Sequence, residues 1–322
     1  MPDSTARPSS HADPSTAESI RRLRANIASV YFGSPAVIER VIICVLARGH
    51  LLIEDVPGVG KTVLATALAK SIDCSFSRIQ LTPDLLPSDI LGTTVLDRNT
   101  SEFVFRPGPI FANVVLADEV NRTPPRTQSA LLEAMSEATV SVDGRVTPLD
   151  QPFMVVATQN PHDFEGTYPL PENQLDRFLM RTAIGYPSNE DEARVIDRRP
   201  AAETLRSLRP VLHKDDVIRL QEAVDGVRLD SSLIDYIVRF ATATRRSEAL
   251  SLGLSPRGSL ALAQAARAAA LVSGRSYVTP DDIVDLIAPV CGHRVVTKSR
   301  HTNAETVAEA LEAVLETVPS PA

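Results

Sequence analysis

The sequence predicts an α/β fold, a mostly parallel sheet covered by helices on both faces, followed by an all-helical C-terminal domain. Three observations carry that expectation. Short apolar runs alternate with helical stretches, one of those runs leads through a glycine-containing turn into a helix, and beyond Tyr186-Pro187 only helical periodicity continues.

Residues 1–17 are rich in Ser and Pro and poor in large apolar side chains, and are expected to form a disordered tail. Helical spacing begins at Glu18 and returns over 34–47, where it runs into a short apolar strand at 50–53. The turn that follows opens a helix over 61–71, so strand, loop and helix come in succession. Residues 93–105 alternate apolar and polar side chains about a polar turn at 97–102, the pattern of a hairpin. The apolar run 114–117 ends in Asp118-Glu119 and reads as a buried strand. A helix over 128–138 draws its apolar side from Leu131, Leu132, Ala134 and Met135. Val140 and Val142 lead into Asp143-Gly144, a type I′ turn signal, and Val146 continues a second hairpin. Residues 153–157 and 179–184 are expected as further strands. After 187, Ser188-x-x-Asp191, Ser255-Pro256 and Thr279-Pro280 each announce a helix with a hydroxyl cap, twice with proline at the first helical position. The expected organisation is a tail over 1–17, an α/β core over 18–187 carrying two hairpins, and a helical domain over 188–322.

Composition narrows the function. The chain has no Trp and only 4% aromatic residues, so its cores rest on Leu, Ile, Val and Ala, and a platform of stacked aromatics for single-stranded nucleic acid is not expected. A net charge of −7 without any basic tail makes nucleic acid and anionic membranes poor partners. Cys44, Cys74 and Cys291 lie far apart and are expected as free thiols in a reducing compartment. The first twenty residues hold no apolar signal core, and the apolar stretch 41–52 is interrupted by Arg48 and His50 and too short to span a bilayer. The expectation is a soluble, cytoplasmic protein without membrane insertion.

The chemistry concentrates in three places. Asp55-Val56-Pro57-Gly58-Val59-Gly60-Lys61-Thr62, with Val63 next, follows a strand and opens a helix. Successive N–H groups in such a loop point inward and cradle phosphate oxygens, with the positive end of the helix dipole behind them. Lys61 would reach the β- and γ-phosphates, and the Thr62 hydroxyl would ligate Mg²⁺. Asp55 stands where the usual pattern has its first glycine. Asp tolerates left-handed backbone, so the turn is retained, provided the carboxylate faces away from the phosphates. In the second place, Asp118 at the strand end can hold Mg²⁺ and Glu119 can polarise an attacking water. In the third, Thr158-Gln159-Asn160 follows a strand, where the neutral Asn160 amide can orient that water or sense the γ-phosphate.

Together these stretches resemble the AAA+ ATPases, and the MoxR branch in particular. The resemblance is carried by the loop from Leu52 to Thr62, by Leu116-Ala117-Asp118-Glu119-Val120-Asn121-Arg122 with Gln128 to Met135, and by Ala157 to Pro161. Glu165 to Pro171 and Gln174-Leu175-Asp176-Arg177-Phe178 add to it, and it covers nearly the whole chain from about residue 18. It implies a P-loop core with a helical lid, ATP and Mg²⁺ as cofactors, and Asp as a normal occupant of position 55. It implies that Arg177 is the arginine finger reaching the nucleotide of a neighbouring subunit, and that Arg257, in Ser255-Pro256-Arg257, is the sensor 2 arginine of the lid. A planar, permanently charged guanidinium suits both tasks. Arg181, four residues after Arg177, is expected to be structural. The resemblance also places the 30–33 stretch, with Gly33, beside the adenine.

The leading functional expectation is an ATP-driven remodeller or chaperone working as a ring, expected to be a hexamer, on a client and with a von Willebrand A-domain partner. A DNA-translocating motor is the alternative, because helicases share the hairpin insertions. Over 93–105, however, only Arg98 is basic, opposed by Asp97 and Glu102, and the second hairpin offers only Arg145 beside Asp143. A switch that binds nucleotide without turnover would not need Glu119, Asn160, Arg177 and Arg257 together.

Overall fold

The computed structural model describes residues 13–160, 166–197, 205–299 and 303–321. Residues 1–12 of the expected tail, together with Pro161 and Glu165 of the motifs above, lie outside them. The chain forms two compact units. One spans Arg22–Arg219, and the other joins the chain up to Arg21 with Leu220–Ala322.

The first unit is built on a five-stranded parallel sheet. Its strands are β1 (Leu51–Glu54), β2 (Phe76–Gln80), β5 (Val114–Asp118), β8 (Met154–Gln159) and β9 (Met180–Thr182), in the order β2-β5-β8-β1-β9. Every residue of β5 is buried, as a strand covered on both faces requires. One face packs Leu52, Val115, Ala117 and Val155 against Leu131, Leu132 and Met135 of helix α5 (Pro125–Glu137) and against Phe178. The helix preceding β1, α2 (Pro35–Leu46), buries Val37, Ile38 and every residue from Val41 to Leu46. Helix α3 (Lys61–Ser71) begins where the glycine turn ends, and two short helices, α4 (Pro87–Leu91) and α6 (Glu172–Leu175), lie further along the chain.

Both hairpins are present. Strands β3 (Gly92–Asp97) and β4 (Glu102–Pro107) pair antiparallel with Leu96 opposite Phe103, and β6 (Thr139–Val142) pairs with β7 (Arg145–Pro148). Asp143 and Gly144 have φ of 50° and 75°, the two left-handed residues a type I′ turn demands. The first hairpin runs two residues further than expected at its C-terminal end and so adds Arg106 to its basic side chains.

The tail also needs correction. Helix α1 (Pro14–Ala28) starts four residues earlier than expected, because Asp13 accepts from the Ser15 N–H and hydroxyl while Pro14 opens the helix. That is the same cap-then-proline device that works at Ser255-Pro256 and Thr279-Pro280, where the caps accept from the Gly258 N–H and form a box with Asp282. Ser188 likewise caps α7 (Asn189–Asp197), which lies within the first unit. The second unit is mainly helical, with α9 (Ser231–Arg246), α10 (Pro256–Val272), α11 (Pro280–Leu286) and α12 (Ala304–Glu316), α8 (Lys214–Asp225) leading in. The expectation of helices alone fails at one place: β10 (Leu250–Leu252) and β11 (Val296–Thr297) pair as a small antiparallel ribbon. Two or three residues are too few for alternation to show in the sequence. Among the described residues, no helix is long and apolar enough to cross a membrane.

Candidate active site

In a parallel sheet the loops at the carboxyl ends of the strands converge, and the ligand crevice forms there. The cleft of about 300 Å³ at that end is lined by Pro57, Gly58, Gly60, Lys61, Thr62 and Val63, and across from them by Arg78, Gln80, Asp118, Glu119, Thr158 and Asn160. The three stretches singled out in the sequence, and a fourth at 78–80, are thus brought to one space.

The loop owes its shape to its glycines. Gly58 and Gly60 have φ of 90° and 94°, backbone that a side chain would strain, and Gly60 is the residue from which α3 starts. Lys61 donates from Nζ to the Asp55 carbonyl at 2.8 Å. Burial pulls its ammonium below the usual lysine value, while the charges of Asp55, Asp118 and Glu119 act in the opposite sense.

Asp55 behaves differently from the expectation. It is not among the left-handed residues, so its presence is not explained by backbone tolerance. Its carboxylate is instead a backbone acceptor: Oδ1 takes the Val56 N–H at 2.8 Å, and Oδ2 takes the Ile184 and Gly185 N–H groups, both at 2.7 Å. Neither Asp55 nor Val56, Val59 or Gly33 lines the cleft. Gly33 has a packing reason of its own, since a Cβ there would lie 2.6 Å from the Tyr31 ring. Tyr31 in turn approaches to 3.7 Å of where a Gly60 Cβ would be. Its buried hydroxyl has no hydrogen-bond partner among the described residues, and burial, aided by the Asp55 charge, pushes the phenol up to about 12.

On the facing side the two carboxylates are held separately. Asp118 Oδ1 accepts from Thr158 Oγ1 at 3.0 Å, and Oδ2 accepts from Arg78 Nε at 2.7 Å. Glu119 has φ of 60°, a left-handed backbone rare for Glu, fixed by its N–H donating to the same Thr158 hydroxyl at 3.0 Å. Its carboxylate accepts from Gln80 Nε2 at 3.1 Å and pairs with Arg122 Nε at 3.3 Å. Arg78 and Gln80 were not anticipated from the sequence. They sit on the edge strand β2, where parallel pairing sets Gln80 opposite Asp118. A strand after α3, needed to complete a β-α-β unit, and the polar–apolar alternation of Arg78, Ile79, Gln80 and Leu81 were the available signals.

Arg177 does not line this cleft; its Nη1 donates to the Leu132 carbonyl at 2.6 Å and to Ser136 Oγ at 2.9 Å, against α5. Arg181 pairs with Glu54 at 3.2 Å, as a structural role requires. Arg257 belongs to the second unit, exposed in the first turn of α10.

Comparison with known proteins bears on the class first. A model of the ATPase family associated with various cellular activities (AAA) matches residues 50–180, and a model of the AAA lid domain matches residues 242–314. A solved structure from Cytophaga hutchinsonii, named only provisionally as an ATPase, superposes with a TM-score of 0.84 at 36% identity, over 95% of this chain and 96% of that one. The chain is 42% identical to the chaperone MoxR1 of Mycobacterium tuberculosis, over 91% of this chain and 81% of that protein. It is 51% identical to the uncharacterized protein YeaC of Bacillus subtilis, over 84% and 85%. The protein MoxR of Methylorubrum extorquens is 29% identical over 93% and 94%. The chain therefore belongs to the MoxR family of AAA+ ATPases.

Proposed function

We propose that the chain hydrolyses ATP with Mg²⁺ and uses the cycle, as a ring oligomer, to remodel a client protein. The observation that carries the reading is the single cleft in which Lys61 and Thr62 face Asp118, Glu119 and Asn160. The donor set fits the metal: a hydroxyl and one carboxylate suffice for an ion that keeps most of its waters and takes phosphate oxygens. Mg²⁺ held by Thr62 and Asp118 would supply positive charge to the transferring phosphoryl group. Gly58, Gly60 and neighbouring N–H groups would bind the phosphates, with Lys61 between β and γ. Glu119 would take the proton of the attacking water, and Asn160 would orient that water. In this reading the 30–33 stretch, with Gly33, borders the adenine, Arg177 serves the neighbouring subunit's nucleotide, and Arg257 acts from the helical lid.

A ring of six, a von Willebrand A-domain partner and a protein client complete the proposal. The hairpins favour a protein over DNA, because Leu96, Phe103, Val104 and Val146 are exposed while Arg98, Arg106 and Arg145 are offset by Asp97, Glu102 and Asp143. The chaperone name of the Mycobacterium relative agrees.

Calorimetry and steady-state turnover test the core of this reading. Lys61→Ala should lose ATP binding, and Glu119→Gln should bind Mg-ATP yet turn it over about 10²–10⁴-fold more slowly. Near-normal ATP affinity in Lys61→Ala, or wild-type turnover in Glu119→Gln, would overturn it. Stimulation of turnover by single-stranded DNA at physiological salt would instead support the motor.

A further inference from the structure

Glu54 and Asp55 are consecutive acidic residues at the carboxyl end of β1, and a strand sends consecutive side chains to opposite faces. Both nevertheless reach the same neighbour. Glu54 Oε2 pairs with Arg181 Nη1 of β9 at 3.2 Å, and its other oxygen accepts from Gln159 at the end of β8. Asp55 Oδ2 accepts the N–H groups of Ile184 and Gly185, just beyond β9, at 2.7 Å each. β9 and the residues just beyond it are thus held by two consecutive side chains at the end of β1. The grip is well enclosed: Asp55 is 9% exposed, and the Glu54 and Arg181 side chains are 21% and 20% exposed.

Asp55 stands at a junction. Its carbonyl holds Lys61 Nζ, its Oδ1 fixes the Val56 N–H at the start of the phosphate loop, and its Oδ2 fixes the exit from β9. Gly185 turns there with φ of 73°, in open space, so the backbone conformation sets the need for glycine. Upstream on the same segment, Arg177 lies three residues before β9 begins. A short hydrogen-bonded path therefore runs from the lysine of the loop to the carboxyl end of β9, and β9 itself, paired along its length with β1, joins that point to the residues before it, Arg177 among them.

We propose that Glu54 and Asp55 are positioning residues that clamp residues 177–185 to the phosphate loop, so that a subunit's own nucleotide sets how firmly it presents Arg177. This rests on the ATP-binding reading above. A nucleotide phosphate that draws Lys61 from the Asp55 carbonyl acts on the residue whose carboxylate holds Ile184 and Gly185. The path is made of direct contacts, and Lys61 is the group along it that would exchange its partner, the Asp55 carbonyl, for phosphate.

Amide hydrogen exchange of the full-length protein, with and without Mg-AMP-PNP, tests the clamp, and calorimetry on the same samples reports binding. In the wild type the nucleotide should slow exchange at Ile184 and Gly185 by about fivefold or more, as ordering of a local unit does. Asp55→Asn keeps the size but replaces a charged acceptor with a neutral one and turns an NH₂ group toward the Val56 N–H or the β9 exit. It should bind the analogue yet show less than about a twofold change at those amides. Its kcat should fall more than its KM rises, because Asp55 does not line the cleft and holds the exit of β9 by two of the three bonds its carboxylate accepts. Arg181→Gln, which leaves the phosphate loop untouched, should shift kcat in the same direction by a smaller factor. Failure of the wild type to bind AMP-PNP would remove the ATP reading itself. Binding without any change at Ile184 and Gly185 would overturn the clamp alone, whether or not Asp55→Asn folds.

Discussion

The two ends of the central sheet use polar side chains in opposite ways. At the amino ends of the strands, His50 precedes β1 and Asn113 precedes β5, and each is saturated by fixed neighbours. His50 accepts the Val155 N–H at Nδ1 and donates from Nε2 to the Met135 carbonyl at 2.9 Å. Asn113, 1% exposed, accepts from the Ser75 N–H and hydroxyl and donates to the carbonyls of Asp150 and Pro152. At the carboxyl ends, Asp118, Glu119, Thr158 and Gln80 bond chiefly to one another and face a cleft. Backbone partners move only with their own segment of chain, whereas side-chain partners can be exchanged for a ligand. The sheet is stapled at one end and, in the side chains that line the cleft, left exchangeable at the other; Asp55, which does not line it, is held by backbone.

The largest expected effect on rate falls outside both ends, at Arg177, which precedes β9 and packs against α5. Arg177→Ala should retain ATP binding yet lose about 10³–10⁵ in turnover. If Arg177 serves a neighbour, mixing Arg177→Ala with Glu119→Gln subunits should restore hydrolysis above the additive baseline, with a maximum at intermediate ratios. Sites of the first kind would then face an intact guanidinium from the second. Additive activity despite demonstrated co-assembly would refute the trans assignment.

At the amino end the prediction reverses. Asn113→Ala strands the Ser75 N–H and two carbonyls in a buried place, and should cost roughly 2–4 kcal/mol of stability by denaturant titration. Turnover per folded molecule should stay within about twofold of wild type. A variant that is stable but slow would show that the two ends are not separable.

The sequence was legible where information is local. The phosphate loop, the strand into Asp118-Glu119, the Asp143-Gly144 turn and the proline-started helices all depend on residues within a few positions of one another. What escaped depends on strands that meet across the sheet. Gln80 reaches Glu119 because each residue of β2 pairs with one 38 positions further on in β5, and Asp55 reaches Ile184 across a gap wider still. Asp55 is the clearest case: its residue type was noticed, but its reason lies in a partner 129 positions away. The same holds for His50, which in sequence only interrupts an apolar run.

His50 gives the smallest effect and the sharpest test of a staple. Its ring is buried and edge-on to Phe153, with centroids 5.6 Å apart. Burial holds the imidazole down from 6.5 to about 4, the Met135 carbonyl opposing weakly. Protonating Nδ1 would set a second N–H against the Val155 N–H, so the folded protein refuses the proton that the unfolded chain accepts. Between those two values the unfolded state binds more protons, and stability must fall as pH falls. The His50 contribution is complete above about pH 7 and declines by about 2 kcal/mol on going to pH 5. Carboxylates titrate nearby, so the quantity to measure is the difference between wild type and His50→Gln. Glutamine can donate to Met135 and accept from Val155 but does not titrate in this range. The wild type should lose about 2 kcal/mol more than the variant between pH 7 and pH 5, with the two curves parallel above pH 7. Parallel curves throughout would mean that His50 admits the proton while folded, and that the amino end of the sheet is less firmly stapled than its hydrogen bonds imply.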